Sequence, residues 1–163
     1  MLGLNLPAEE NPLTLECLTE VKDYLDLYAT NKEVGPVLFV SDEASIFSRG
    51  LDVDDVVTKG DLLMQEINAL CLKMDMYKKP LVSVLSGSMN GTALGLFSNT
   101  KYKIRTPETR LRLDELVTGY IPSGGLAFHM VRGSPMGRAM ARYLAISQRV
   151  VDGFDLYRLG MAT

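Results

Sequence analysis

Tryptophan is absent from the 163 residues, histidine occurs once and cysteine twice. Each scarcity narrows the chemistry. The lone His129 lies between Phe128 and Met130, with no second histidine or cysteine nearby, which is not a zinc pattern. No metal is therefore expected, and His129 reads as a packed helix residue. A Ser-His-Asp protease would need that histidine, but no serine stands in a recognisable protease motif. Cys17 and Cys71 have no CxxC partner and fall inside amphipathic segments, so they read as small buried hydrophobes in a reducing compartment. Positive charge is not in excess either. Lys and Arg total 17 against 20 Asp and Glu, a net charge of -3, which gives no overall basic footprint for nucleic acid. No apolar run reaches the roughly 18 residues that span a bilayer, so no membrane association is expected. The opening Met1-Leu2-Gly3-Leu4-Asn5-Leu6-Pro7 lacks the charged and apolar regions of a signal peptide, and no mitochondrial presequence is visible.

What is present suits one domain with a real core: 47% hydrophobic and 23% charged residues. Leu18, Val21, Leu25 and Tyr28 recur at steps of three and four and predict a helix from about Thr14, stopped by Gly35-Pro36. Val37 to Val40 reads as a buried strand, and Ser41 to Asp55 as a polar loop. Leu63, Ile67, Leu70, Met74 and Tyr77 mark the buried stripe of a helix over about 60–77. Leu81 to Leu85 and Tyr102 to Thr106 read as strands. Helices are predicted over about Leu126 to Arg132, Pro135 to Ser147 and Asp152 to Leu159. Strands alternating with helices predict an α/β domain.

Two glycine-bearing loops each follow a strand, Phe47 to Asp52 and Gly87 to Gly95. Glycine lets backbone approach a ligand, and two such loops can aim two N–H groups at one oxygen, as an oxyanion hole does. Ordinary turns would carry the same glycines.

Order along the chain separates these readings. Asn5-Leu6-Pro7 with Asn11-Pro12-Leu13-Thr14, then Phe47-Ser48-Arg49-Gly50-Leu51-Asp52-Val53, then Lys79-Pro80-Leu81-Val82-Ser83-Val84 with Gly87, resemble successive motifs of the crotonase superfamily. Glu115 with Gly119-Tyr120-Ile121-Pro122 and Gly124-Gly125 resembles its next motif. Tyr157-Arg158-Leu159-Gly160-Met161-Ala162-Thr163 is similar to the 3-hydroxyisobutyryl-CoA hydrolase branch. The resemblance implies a spiral of strand-strand-helix units in a single core domain over 1–163, incomplete at both ends, with the family's C-terminal helical region absent. It implies a coenzyme A thioester as ligand, no further cofactor, a tendency to oligomerise and, by family, a mitochondrial location.

By position, the family's two oxyanion donors fall on Leu51 and Thr92, where small residues are usual. Leu51 is expected to crowd the thioester. Arg49, Gly50 and Gly91 fall beside the coenzyme site, with Arg49 either reaching a phosphate or blocking the pocket. The first hydratase glutamate falls on Gly95, which the hydrolase branch shares. The second acid falls on Glu115, and the hydrolase aspartate falls on Ser123. Asp114 stands where the family has proline. Glu115 thus acts as base or nucleophile, or merely caps a loop. The eroded positions point to a non-catalytic structural subunit of a large protein or ribonucleoprotein assembly, such as the mitochondrial small ribosomal subunit. Arg132, Arg138, Arg142 and Arg149 are its candidate contact residues. The alternative is an active acyl-CoA thioester hydrolase using Glu115.

Overall fold

Alternation of buried and half-buried residues commits Val37–Ser41 and Leu81–Leu85 to strands, and the two pair in parallel as the centre of one sheet. The computed structural model describes residues 1–6, 9–133 and 137–162. Pro7, Pro135 and Thr163, named above, lie outside them. The elements run β1 (Leu2–Leu4), β2 (Pro12–Leu13), α1 (Leu15–Thr30), β3 (Val37–Ser41), β4 (Ile46–Ser48), β5 (Gly50–Leu51) and α2 (Val53–Asp75). They continue with β6 (Leu81–Leu85), β7 (Ser88–Asn90), α3 (Gly91–Phe97), β8 (Tyr102–Arg105), β9 (Arg110–Arg112) and a 3-10 helix (Glu115–Thr118). The last are α4 (Leu126–Gly133), α5 (Gly137–Ser147), β10 (Val151–Asp152) and α6 (Gly153–Arg158).

From β3 onward, each turn of the chain places one strand in each of two four-stranded sheets and then a helix. The first sheet has the order β1-β3-β6-β8, all parallel. The second has β10-β9-β7-β4, parallel except for β10. β2 pairs with β5 alone. The expected spiral of strand-strand-helix units is therefore the architecture. Its successive turns are laced by backbone: Ser88 N–H donates to Ser45 O (3.0 Å) and Arg110 N–H to Gly87 O (2.9 Å). The approach is so close at Gly87 (φ +72°) that a Cβ there would overlap the Ser45 and Ile46 backbone.

Two expectations need correction. Ser41 to Asp55 is not a loop, because β4, β5 and the start of α2 lie within it. Strands of two and three residues are too short to show a period. The second helix begins at Val53, not near Gly60. Asp52 caps it, accepting from Asp55 N–H (3.1 Å), and Lys59 (φ -132°) interrupts it. That interruption breaks the helical period where the sequence suggested a start. Tyr77 lies beyond α2, and its hydroxyl donates to Leu25 O (2.7 Å), tying α2 to α1. Cys17 and Cys71 are free thiols, half-buried in α1 and α2, and burial pushes Cys17 up to about 11. Among the described residues no helix is long and apolar enough to cross a membrane.

The core lies between the two sheets and is keyed by Phe97. Its ring meets Phe39 of the first sheet (centroids 5.2 Å, 63°) and Phe47 of the second (5.0 Å, 66°), both edge to face. All three rings are buried. Phe97→Ala is expected to cost about 3–5 kcal/mol in urea denaturation. A cost under about 1 kcal/mol, the level of a surface change, would mean that the ring is not what joins the sheets.

Candidate active site

All seven residues of α3 are buried, and its N-terminal end faces a cavity of about 330 Å³. Arg49, Gly50 and Leu51 line it from β5 and the residue before it, and Gly91 and Thr92 from the first turn of α3. Asp114, Glu115 and Tyr120 line it from the segment around the 3-10 helix, and Val53, Val56 and Val57 from the first turns of α2. Of the seven site residues expected from sequence, six meet at this cavity: Arg49, Gly50, Leu51, Gly91, Thr92 and Glu115. Ser123 does not line it. It is buried behind Thr92, with the two hydroxyls in contact.

Backbone proximity explains the glycines. Gly50 (φ +98°) sits where a Cβ would stand 3.1 Å from Asn90 O and 3.9 Å from Thr92 N, so β5 and the start of α3 are in contact. Gly91 (φ +51°) sits where a Cβ would stand 3.3 Å from the Glu115 carboxyl carbon. Thr92 is the second residue of α3, and an N–H in a helix's first turn has no acceptor within its helix. It is thus positioned to donate into the cavity. Leu51, expected to crowd the site, is half-buried, packs against the core and lines the cavity. Arg49 lines the cavity as well. Its guanidinium is held at the rim by Asp52 (2.8 Å).

Gly95 is a different case. A Cβ there would overlap the Ser123 carbonyl oxygen and stand 2.9 Å from that of Gly124. No side chain fits between α3 and the 123–124 turn, so this backbone has no room for an acid at that position.

Glu115 is 6% exposed. Burial raises its carboxyl above the usual carboxylate range and the charge of Asp114 adds to this, while the backbone N–H groups of Glu115 and Ser123 oppose it. The half-buried Asp114 is also raised, by burial first, against its own backbone N–H and the charge of Arg112. Tyr120 stands over Met64, its hydroxyl meeting the sulfur, and burial raises that phenol too.

A sequence profile for enoyl-CoA hydratase/isomerase matches residues 1–163. The chain belongs to the enoyl-CoA hydratase/isomerase family. Among its crotonase-fold relatives, a probable 3-hydroxyisobutyryl-CoA hydrolase 2 of Arabidopsis thaliana is 24% identical over all of this chain and 44% of its own length. The mitochondrial 3-hydroxyisobutyryl-CoA hydrolase of Danio rerio is 25% identical over the same shares of each. An enoyl-CoA hydratase structure from Bacillus anthracis superposes with a TM-score of 0.91 at 18% identity, over 98% of this chain and 63% of that one. The chain therefore spans under half the length of those hydrolases. In this crotonase chain sequence reasoning missed Tyr120 and the three valines. The valines lie in the stretch read as loop or just after it, and Tyr120 lay within a quoted motif but outside its acids. Asp114 was visible only as a departure from the family proline.

Two outcomes follow. Gly95→Ala is expected to lower stability by about 1–3 kcal/mol through overpacking, measured by denaturant midpoint; an unchanged midpoint would mean the turn is loosely placed. For Glu115, an acid raised in the folded state supplies stability fully present below its unfolded value and lost as pH rises through the folded one. Wild-type thermal midpoints are expected to fall across that window. Glu115→Gln is expected to show a shallower slope, with Asp114 accounting for the remainder, and to be at least as stable at neutral pH. A less stable Glu115→Gln at neutral pH would contradict this.

Proposed function

We propose that the cavity binds an acyl-coenzyme A thioester and that the protein hydrolyses it with Glu115 as the working carboxylate. The observation that carries this reading is the burial of Glu115 on the same cavity as Leu51 and Thr92. The thioester carbonyl oxygen would sit against the N–H groups of Leu51 and Thr92, which stabilise the negative charge that develops there. Glu115 would take a proton from water, or attack the acyl carbon itself. Burial raises its proton affinity, which makes the ionised form a stronger base than a solvated carboxylate. The acyl chain would lie along Val53, Val56 and Val57. Hydration of an enoyl thioester by two glutamates is disfavoured, because position 95 admits no side chain. The chemistry needs water and the thioester and no further cofactor. The names of the hydrolase relatives support the substrate class and, for the fish enzyme, a mitochondrial location.

A second reading, a non-catalytic subunit of a large assembly such as the mitochondrial small ribosomal subunit, draws on two observations. Ser123 stands where the hydrolase branch carries an aspartate, and Arg132, Arg138, Arg142 and Arg149 are all exposed. Short acyl-CoAs separate the two. Turnover is expected in the full-length protein, with a fall of about 10²–10⁴-fold in Glu115→Gln. Absence of turnover and of coenzyme A binding by calorimetry, with co-sedimentation with ribosomal particles, would replace the hydrolase reading with the structural one.

A further inference from the structure

We propose that Asp114 is a second catalytic carboxyl group, supplying from the residue before Glu115 the acid that position 123 lacks. The inference rests on the hydrolase reading above and deepens it. Its basis is placement. Asp114 and Glu115 line the same cavity, and Asp114 Oδ1 and Glu115 Oε1 each lie 3.4 Å from a single point, where a Cβ on Gly91 would stand. Adjacent residues in a strand or helix do not present their side chains to one spot. Here they do because the chain turns between them: Asp114 (φ -108°, ψ 5°) precedes the 3-10 helix that Glu115 opens. The turn is held by Val117 N–H donating to Asp114 O (3.0 Å) and Tyr120 N–H to Glu115 O (2.8 Å). A proline at 114, as in the family pattern, would carry no acid.

Two carboxyls on one glycine cannot both ionise as freely as either alone, so the pair shares a proton over part of the pH range. Burial raises both carboxyls, so each holds its proton more tightly than it would in water. The other charged or titratable groups facing the pair are few. Arg112 on β9 favours the ionised form of Asp114. Arg49 across the cavity is paired with Asp52, and Tyr120 adds a phenol.

A pair with one proton supplies both halves of a hydrolysis. The Glu115 carboxylate takes a proton from water as the new C–O bond forms and the carbonyl electrons move to oxygen. When the oxyanion collapses, the C–S bond breaks and its electrons stay on sulfur. Protonated Asp114 gives its proton to that sulfur, so the products are a carboxylic acid and a thiol. The proton on Glu115 then passes to Asp114, and the site is restored.

The test is steady-state turnover of a short acyl-CoA against pH in the full-length protein, with Asp114→Asn, Asp114→Glu and Glu115→Gln. Wild type is expected to give a bell. Its rising limb is ionisation of the base, and its falling limb is loss of the shared proton. Asp114→Asn is expected to lower kcat about 10²-fold with KM little changed. It should also lose the falling limb, because no second carboxyl remains to give up a proton. Asp114→Glu is expected to recover part of kcat and the bell, which a purely structural aspartate would not require. Wild-type turnover abolished by Glu115→Gln but unchanged in rate and pH profile by Asp114→Asn would overturn the Asp114 proposal and leave the hydrolase reading standing. Wild type no more active than Glu115→Gln would overturn both.

Discussion

A short helix with nothing exposed sets the terms for the rest of this fold. α3 is buried along its whole length, so everything around it must come to it. At its C-terminal end Phe97 joins the two sheets through Phe39 and Phe47. At its N-terminal end Gly91 admits the carboxyls of Asp114 and Glu115, and at Gly95 the 123–124 turn rests on bare backbone. One helix thus has a packing end and a chemical end. Polar groups brought beside it leave bulk water, which is why Glu115 gains proton affinity. Packing and reactivity are therefore coupled: the contacts that bury α3 also hold the acids at its start.

The same coupling explains which family features are kept and which have changed. Gly50 and Gly91 adopt positive φ with neighbours close on the Cβ side, so another residue would strain the backbone and press on the cavity. Those positions are constrained by the fold whatever the protein does. Positions 49, 51, 114 and 123 are not so constrained. Leu51 packs partly on the core while lining the cavity, Arg49 pairs with Asp52, and Ser123 meets the Thr92 hydroxyl. The Thr92–Ser123 contact satisfies two buried hydroxyls with each other, a stable arrangement needing no ligand. The backbone N–H of Ser123 also acts on the Glu115 carboxyl.

Much of this was legible in the sequence, for reasons that differ by element. α1 could be read because Leu18 and Leu25 fall on one buried face over 16 residues, long enough for a period to repeat. β3 and β6 of the first sheet could be read as apolar runs. β4, β5, β7, β9 and β10 could not, because two or three residues carry no period and their pairing is long-range. The start of α2 was hidden by the break at Lys59, which divides one helix into two patterns. In the site, the motif spacing located the two backbone turns and Glu115. It did not show that Asp114 turns inward beside Glu115, since that depends on the dihedral angles at one residue. Nor did it show the valine wall, which belongs to the part of α2 read as loop or left unassigned.

Asp52 connects these levels most directly. Oδ1 accepts from Asp55 N–H and starts α2, while Oδ2 accepts from Arg49 (2.8 Å) at the cavity rim. Asp55 in turn accepts from Leu15 N–H (2.7 Å), so the start of α1 is tied to the start of α2. The wall formed by Val53, Val56 and Val57 is therefore oriented by a chain of carboxylate caps reaching back to α1. The Arg49 pair is partly exposed, and such pairs contribute at most about 1 kcal/mol. A ligand phosphate could take the guanidinium at little cost, forming two parallel hydrogen bonds where Asp52 now forms one. Asp52 would keep its cap on α2 through the other oxygen. The Arg49 pair and the α2 cap thus rest on different oxygens of one carboxylate, so the rim contact can open without freeing the start of the valine wall.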